Sequence, residues 1–272
     1  MSTTPQTTSE SAQAEPRKYV EEVGSTGAIT LEPRPQPPPT QPQSPVLDDI
    51  GRIWDPARFA VLRDPISVGP IRDRARFSRL PTPRVSNIPV KFPGSDYRIP
   101  AEVACAVEAL QLCIDCEHAI NPDVDAYYAY LTVDRDVIPE GWAQRGLGVH
   151  ADFLQGRRVS PKRAGDHGYL CTDRDPPVFY RQPFELTAED VANDAFNSAF
   201  ERQARAQFAA PVAPYEVMLF DSYCVHGAVP AARTARRTFI RFFYSLAVYD
   251  RFGDTHNALF DYRWKMDYRP RP

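Results

Sequence analysis

Short segments rich in aromatic and β-branched residues fill the second half of the chain, and prolines and other turn residues separate them. This composition is typical of β-strands. The segments predicted as strands are 126–133, 146–153, 168–172, 177–180, 216–225 and 237–249. Many short strands with few helices between them predict a mainly β fold of the α+β class, with helices flanking antiparallel sheets.

Two helices are predicted among these strands. Apolar residues recur at helical spacing from Val103 to Ile114, and Asn121-Pro122 ends that helix. The second helix follows Thr187, which is a good N-terminal cap, and its Phe196, Phe200 and Phe208 are predicted to share a buried face.

Cys113 and Cys116 form a CxxC pair on the first predicted helix. A structural zinc ion needs four ligands, and no second pair has matching spacing. We therefore expect these two cysteines to fill the core as small apolar side chains.

Proline is unusually common, with 28 among 272 residues, and nine of these precede residue 47. Proline lacks the amide donor that a strand ladder needs, so residues 1–46 are predicted to form a disordered arm. Residues 47–272 are predicted to form a single domain. Its aromatic tail, 250–272, is expected to fold back as a lid or to form a homodimer contact.

Charge and hydropathy exclude several classes of protein. The net charge of −3 argues against a general nucleic-acid-binding protein, which needs a clustered basic surface. No apolar run approaches the ~20 residues of a membrane helix. The polar, acidic beginning of the chain predicts no secretion or transit signal, and five cysteines are expected to stay reduced. These features favour a cytoplasmic protein.

His150 and Asp152 form an HxD motif on a predicted strand. Residues i and i+2 of a strand project from the same face, so the imidazole and the carboxylate are expected to point together. His226 ends another predicted strand 74 residues beyond Asp152. Two histidines and one carboxylate on one face of a ferrous ion leave its other coordination positions open.

Arg237 begins the next predicted strand, eleven residues after His226, and Arg241 lies on the same face. With this HxD…H…R pattern, residues of about 126–250 resemble the Fe(II)/2-oxoglutarate-dependent dioxygenases. The resemblance implies a double-stranded β-helix, which is a cupin-like jelly roll. It also implies that His150, Asp152 and His226 hold Fe(II). Arg237 is our first choice to bind the distal carboxylate of 2-oxoglutarate, with Arg241 second and Arg236 third.

Other contacts of the predicted site are expected from position alone. Tyr128 and Tyr130 are predicted to donate to the same carboxylate of 2-oxoglutarate. Gln144 and Arg145 precede the HxD strand, and Gln144 is predicted to contact substrate. Arg157, in a cationic loop, and His167 are further predicted substrate contacts.

The resemblance implies an oxidoreductase that consumes O2, converts 2-oxoglutarate to succinate and most commonly hydroxylates its substrate. Because Asp152 is retained, halogenation is disfavoured. A small polar metabolite, such as an amino acid or a biosynthetic intermediate, is the expected substrate. Two alternatives remain open: a cupin-like metal enzyme that does not use 2-oxoglutarate, and a non-catalytic jelly-roll binding module.

Overall fold

A computed structural model describes residues 27–39, 44–79, 84–146 and 148–265. Within them, five α-helices are α1 Pro45–Asp48, α2 Arg74–Arg79, α3 Val107–Ile120, α4 Ala188–Ala192 and α5 Phe196–Gln203. The strands are β1 Ala28–Leu31, β2 Ile66–Pro70, β3 Val85–Lys91, β4 Tyr97–Pro100, β5 Tyr128–Ile138, β6 Val149–His150, β7 His167–Thr172, β8 Val178–Tyr180, β9 Ala209–Pro211, β10 Glu216–Asp221, β11 His226–Gly227 and β12 Ala235–Ser245.

The eight strands from β5 to β12 divide equally between two antiparallel sheets, and among them only β8 and β9 are consecutive strands of the same sheet. One sheet has the order β2-β10-β7-β12-β5-β3, and the other has the order β6-β11-β8-β9. The first and last of the eight, β5 and β12, are neighbours, as are the second and seventh, β6 and β11. This strand order is a double-stranded β-helix, so the predicted fold class is confirmed.

Strand β12 separates the hydrophobic core from the interior of the jelly roll. Its Ile240, Phe242 and Tyr244 are buried in one cluster with apolar residues of α3. The alternate residues Arg237, Phe239 and Arg241 point the other way and line an internal cavity. Because side chains alternate along a strand, one sequence supplies both the core and the cavity wall.

The two predicted helices are shorter than expected. The segment Ala101–Ala106 is a 3-10 helix, and α3 begins only at Val107. Phe196 and Phe200 are buried, as predicted. Helix α5 ends at Gln203, before Phe208, which is 40% exposed, so the predicted burial of Phe208 was wrong. Cys113 and Cys116 are buried and unpaired in α3, as expected of core residues.

Part of the predicted arm is structured. Strand β1 pairs with β4, and the Arg34 amide and the Gln36 side chain donate hydrogen bonds to Asp115 of α3. This pairing corrects the expectation of a disordered arm for residues 27–39, because the segment has neighbours for its backbone and its apolar side chains. Residues 1–26 and 40–43 of that arm lie outside the described residues.

The aromatic tail folds back onto the same chain. Phe260, Tyr262 and Trp264 surround the ring of Phe92, with centroid distances between 4.6 and 5.4 Å. The beginning of the tail, residues 251–255, borders the internal cavity. Residues 266–272 lie outside the described residues. Among the helices that the structure does describe, none has the length and apolar character needed to cross a membrane.

Candidate metal centre

His150 and His226 face each other across the β6–β11 pair. They are directly opposite residues in the antiparallel register, and their ring centroids are 4.5 Å apart. Asp152 follows His150 by two residues and lies outside β6, which ends at His150, so the predicted strand over 146–153 is wrong for Asp152. One ligand atom from each of the three residues lies within 4.8 Å of the other two, so the structure brings the predicted triad together.

Backbone carbonyls orient both imidazole rings. His150 Nδ1 is 3.3 Å from the Gly148 oxygen, and His226 Nδ1 is 3.0 Å from the Cys224 oxygen. A carbonyl accepts only from a protonated nitrogen, so both rings carry their proton on Nδ1 and leave the Nε2 lone pair for a metal. Gly148 has a φ of +118°, which a residue with a side chain rarely adopts, and this conformation places its carbonyl under His150.

The charges of the three side chains suit a divalent cation. Burial, together with repulsion from His150, lowers the pKa of His226 to about 4, so its ring is neutral at pH 7. Burial alone would raise the pKa of Asp152, but Arg241 and the two histidines hold that pKa well below its usual range. Two imidazoles and one carboxylate are a ligand set that fits Fe(II).

Hydrogen bonds hold Arg237 in the wall of the cavity. Its guanidinium donates to Gln144 Oε1 at 2.7 Å and to the carbonyls of Arg174 and Asp175 at 2.9 and 3.1 Å. Gln144 in turn donates to the Asp134 carbonyl at 2.8 Å. Burial lowers the pKa of Arg237 from its ordinary value, against the opposing charges of Asp173, Asp175 and Asp134.

Arg241 lies beside the triad itself. Its Nη1 is 2.9 Å from Asp152 Oδ2, and its Nη2 donates to Asn87 Oδ1 at 3.2 Å. Its guanidinium sits above the rings of Phe153 and Phe243. Arg241 therefore fixes the orientation of the Asp152 carboxylate. Arg236 is exposed on the opposite face of β12, as the strand alternation predicts.

The triad and both inward arginines line one cavity of about 820 Å³. Asp134, which is not among the residues predicted for the site, lines the same cavity and is 2% exposed. Its predicted strand ended at Val133, but β5 continues to Ile138 and carries Asp134 inward. The sequence contains a signal for this position. Thr132 and Asp134 are two residues apart, so a strand that continues past Val133 directs both side chains to the same face.

Tyr128 and Tyr130 are not among the residues that line the cavity. The Tyr130 hydroxyl donates to the Ala247 carbonyl at 2.9 Å and accepts from the Tyr249 amide. The Tyr128 ring packs against Trp264 of the tail. The expected contact of these two tyrosines with 2-oxoglutarate is therefore not supported by their positions.

Arg157 and His167 are also outside the cavity lining. Arg157 is exposed and pairs with Asp194, so its loop is held against the surface. His167 is buried on the α3 side of the sheet, where Nε2 lies 2.6 Å from Glu117 Oε1. Their expected contact with substrate is not supported by these positions, whereas Gln144 does line the cavity.

No protein-family model matches the chain, and no curated protein matches its sequence.

Several solved structures match at low identity. One is an oxidoreductase of the 2OG-Fe(II) oxygenase family from Burkholderia pseudomallei, with 14% identity over 65% of this chain and 78% of that one, at a TM-score of 0.35. EvdO2 from Micromonospora carbonacea var. aurantiaca, complexed with 2-oxoglutarate, has 15% identity over 72% of this chain and 92% of that one, at a TM-score of 0.38. HygX from Streptomyces hygroscopicus, with nickel and 2-oxoglutarate bound, has 14% identity over 76% of this chain and 87% of that one, at a TM-score of 0.35. The double-stranded β-helix assigned here rests on the strand order of this chain itself, and these matches add no argument to it.

Proposed function

We propose that this protein is a non-heme Fe(II)/2-oxoglutarate-dependent dioxygenase. Its proposed substrate is a small polar metabolite, such as an amino acid or a biosynthetic intermediate, and its proposed reaction is hydroxylation. The observation that carries the proposal is the grouping of His150, Asp152 and His226 on the wall of a large cavity. Arg237 and Arg241 of β12 line the same cavity, and a guanidinium there provides the cation that the distal carboxylate of 2-oxoglutarate needs.

Each residue of the triad has a distinct part. His150 and His226 would bind Fe(II) through Nε2, while their Nδ1 hydrogen bonds keep the rings from rotating. Asp152 would supply the charged ligand, held in place by Arg241. Bound Fe(II), with 2-oxoglutarate and O2, supplies the oxidising chemistry, in which the keto acid becomes succinate and CO2.

Arg237 is the better of the two arginines for the distal carboxylate of 2-oxoglutarate. Arg241 hydrogen-bonds a metal-binding carboxylate, so it lies beside the metal rather than one cosubstrate length away. Arg237 precedes Arg241 by four residues in β12, and four residues of strand span about 13 Å. Its hydrogen bonds to Gln144 and two carbonyls hold the guanidinium in place before the cosubstrate arrives.

Anaerobic titration with Fe(II) and 2-oxoglutarate tests the proposal. A chelating keto acid on Fe(II) gives a visible metal-to-ligand charge-transfer band, which is expected only when both components are present. In air, the loaded protein is expected to form succinate slowly without substrate. Metal binding without the band would favour the cupin-like alternative, and no metal binding would favour the binding module. Either result would contradict the proposal.

Arg237→Lys is expected to raise the KM for 2-oxoglutarate by about 10- to 100-fold, because lysine keeps the charge but loses the forked hydrogen bonds. The rate at saturating 2-oxoglutarate should change much less. Succinate formation measured against 2-oxoglutarate concentration gives both constants. Arg236→Lys, which changes the adjacent exposed residue in the same way, is the matched control. Equal KM values for the two variants would argue against this role of Arg237.

A further inference from the structure

Arg84 and Arg145 form a second cationic group in the cavity, separate from the cations assigned above. Arg145 Nη1 and Arg84 Nη2 lie 3.7 and 3.4 Å from the same atom, Asp134 Oδ2. Both distances exceed that of a good hydrogen bond, and this buried oxygen has no hydrogen-bond partner among the described residues. Two guanidinium groups therefore share one carboxylate at long range.

Arg145 differs from Arg237 in how it is held. Both guanidinium groups lie near the ring of Phe239, with their central carbons 5.3 and 5.7 Å from its centroid. Arg237 makes three hydrogen bonds to protein acceptors, whereas Arg145 makes none within the described residues and pairs with Asp134 only at long range. The hydrogen-bonding capacity of Arg145 thus remains open to a ligand in the cavity.

Among the described residues that line the cavity, arginines outnumber acidic side chains by one. The described lining includes five arginines and four acidic residues: Arg84, Arg145, Arg237, Arg241, Arg251, Asp134, Asp152, Glu201 and Asp254. Fe(II) and 2-oxoglutarate carry two opposite charges each, so binding them does not change this balance. The pKa of Arg145 is lowered by burial and by repulsion from Arg241, which a further anion would relieve.

We propose that Arg145, assisted by Arg84, binds an anionic group of the substrate that is oxidised, a carboxylate or a phosphate. This inference rests on the proposed function, and it narrows the small polar metabolite to an acid. Asp134 acts as the internal counterion that the substrate anion displaces from Arg145. A planar guanidinium with free donors matches either anion through two parallel hydrogen bonds.

Binding of small anions to the protein loaded with Zn(II) and 2-oxoglutarate tests this site, because the triad and Arg237 are then occupied. The probes are propionate, methyl phosphate and the neutral analogue propionamide. Saturation-transfer NMR detects the binding of each probe. We expect at least one anion to bind and propionamide not to bind. Tighter binding of methyl phosphate would assign a phosphate group to the substrate, and tighter binding of propionate a carboxylate.

Three variants separate this site from other cations. Arg145→Gln is expected to weaken anion binding about tenfold or more. Asp134→Asn is expected to strengthen it, because the competing charge is removed. Arg181→Gln is the matched control, since Arg181 pairs with Asp64 on the surface and does not line the cavity. Equal binding by Arg145→Gln and wild type, or binding of propionamide as tight as that of propionate, would overturn the proposal.

The two proposals fail in different ways. Binding of 2-oxoglutarate to the metal-loaded protein is measured first, and its absence would reject the proposed function alone. If Arg145→Gln loses 2-oxoglutarate binding instead of anion binding, Arg145 serves the cosubstrate and the further inference is wrong. If the wild-type protein binds neither propionate nor methyl phosphate, the inference is wrong even where 2-oxoglutarate binds.

Discussion

Asp152→Ala is expected to abolish 2-oxoglutarate turnover, because it removes the charged ligand from the triad. Loss of an outer-shell partner of a metal ligand typically costs 10- to 100-fold in metal affinity. Loss of the ligand itself is expected to exceed ~100-fold. Competition with a chelator of known affinity measures Fe(II) binding under anaerobic conditions. Succinate formation in air gives the loss of turnover on the same preparation.

Asp152→Asn distinguishes ligation from folding. Asp152 also accepts a hydrogen bond from Arg241, so alanine leaves a half-buried guanidinium without that partner. Asparagine keeps an acceptor for Arg241 but supplies no negative charge to the metal. We expect Asp152→Asn to unfold at nearly the wild-type temperature and still to lose metal binding and turnover. Turnover close to wild type in this variant would remove Asp152 from the site.

The arginine pair of the site could be predicted because it follows from strand geometry: the alternation of β12 places Arg237 and Arg241 on one face. Asp152 lies beside His150 as expected, although β6 ends at His150 and strand alternation does not reach Asp152. The position of His226 opposite His150 depends on the pairing of β6 with β11, which are distant in sequence. That pairing was accessible only through the resemblance of the whole pattern to a known family.

The contacts of single residues were less predictable, because they depend on which distant element packs against them. Tyr130 lies on the same face of β5 as Thr132, yet its hydroxyl donates a hydrogen bond to the Ala247 carbonyl. The prolines of residues 27–39 predict a solvated arm, whereas the structure pairs β1 with β4 and buries Ile29 and Leu31. His167 had been predicted as a substrate contact, and α3 supplies it with Glu117 instead.

Glu117 is the centre of a buried polar network on the α3 side of the sheet. It is 0% exposed, and its oxygens accept from Asn121 Nδ2 at 2.6 Å and from the Tyr169 hydroxyl at 2.9 Å, besides contacting His167 Nε2. Burial alone would lower the pKa of His167, but the charge of Glu117 and its hydrogen bond raise that pKa above the ordinary 6.5. His167 and Glu117 therefore form a buried, hydrogen-bonded pair that favours the protonated histidine more than water does.

Glu117→Gln is expected to lower the free energy of unfolding by about 3–5 kcal/mol, because it leaves His167 and Tyr169 without the charge they surround. The pH dependence should change as well. A histidine with a raised folded-state pKa contributes stability that is complete below pH 6.5 and is lost as the pH rises through that pKa. Wild-type stability is thus expected to fall above pH 6.5, and this slope should flatten in Glu117→Gln.

Urea denaturation at a series of pH values between 6 and 9 measures both effects. Glu102→Gln is the matched control, since Glu102 is exposed just before α3 and makes the same chemical change without burial. We expect that variant to keep the wild-type stability and the wild-type slope. A slope in Glu117→Gln equal to that of the wild type would show that His167 does not carry the pH dependence. The buried pair would then contribute through neutral hydrogen bonds, which are worth only about 1 kcal/mol each.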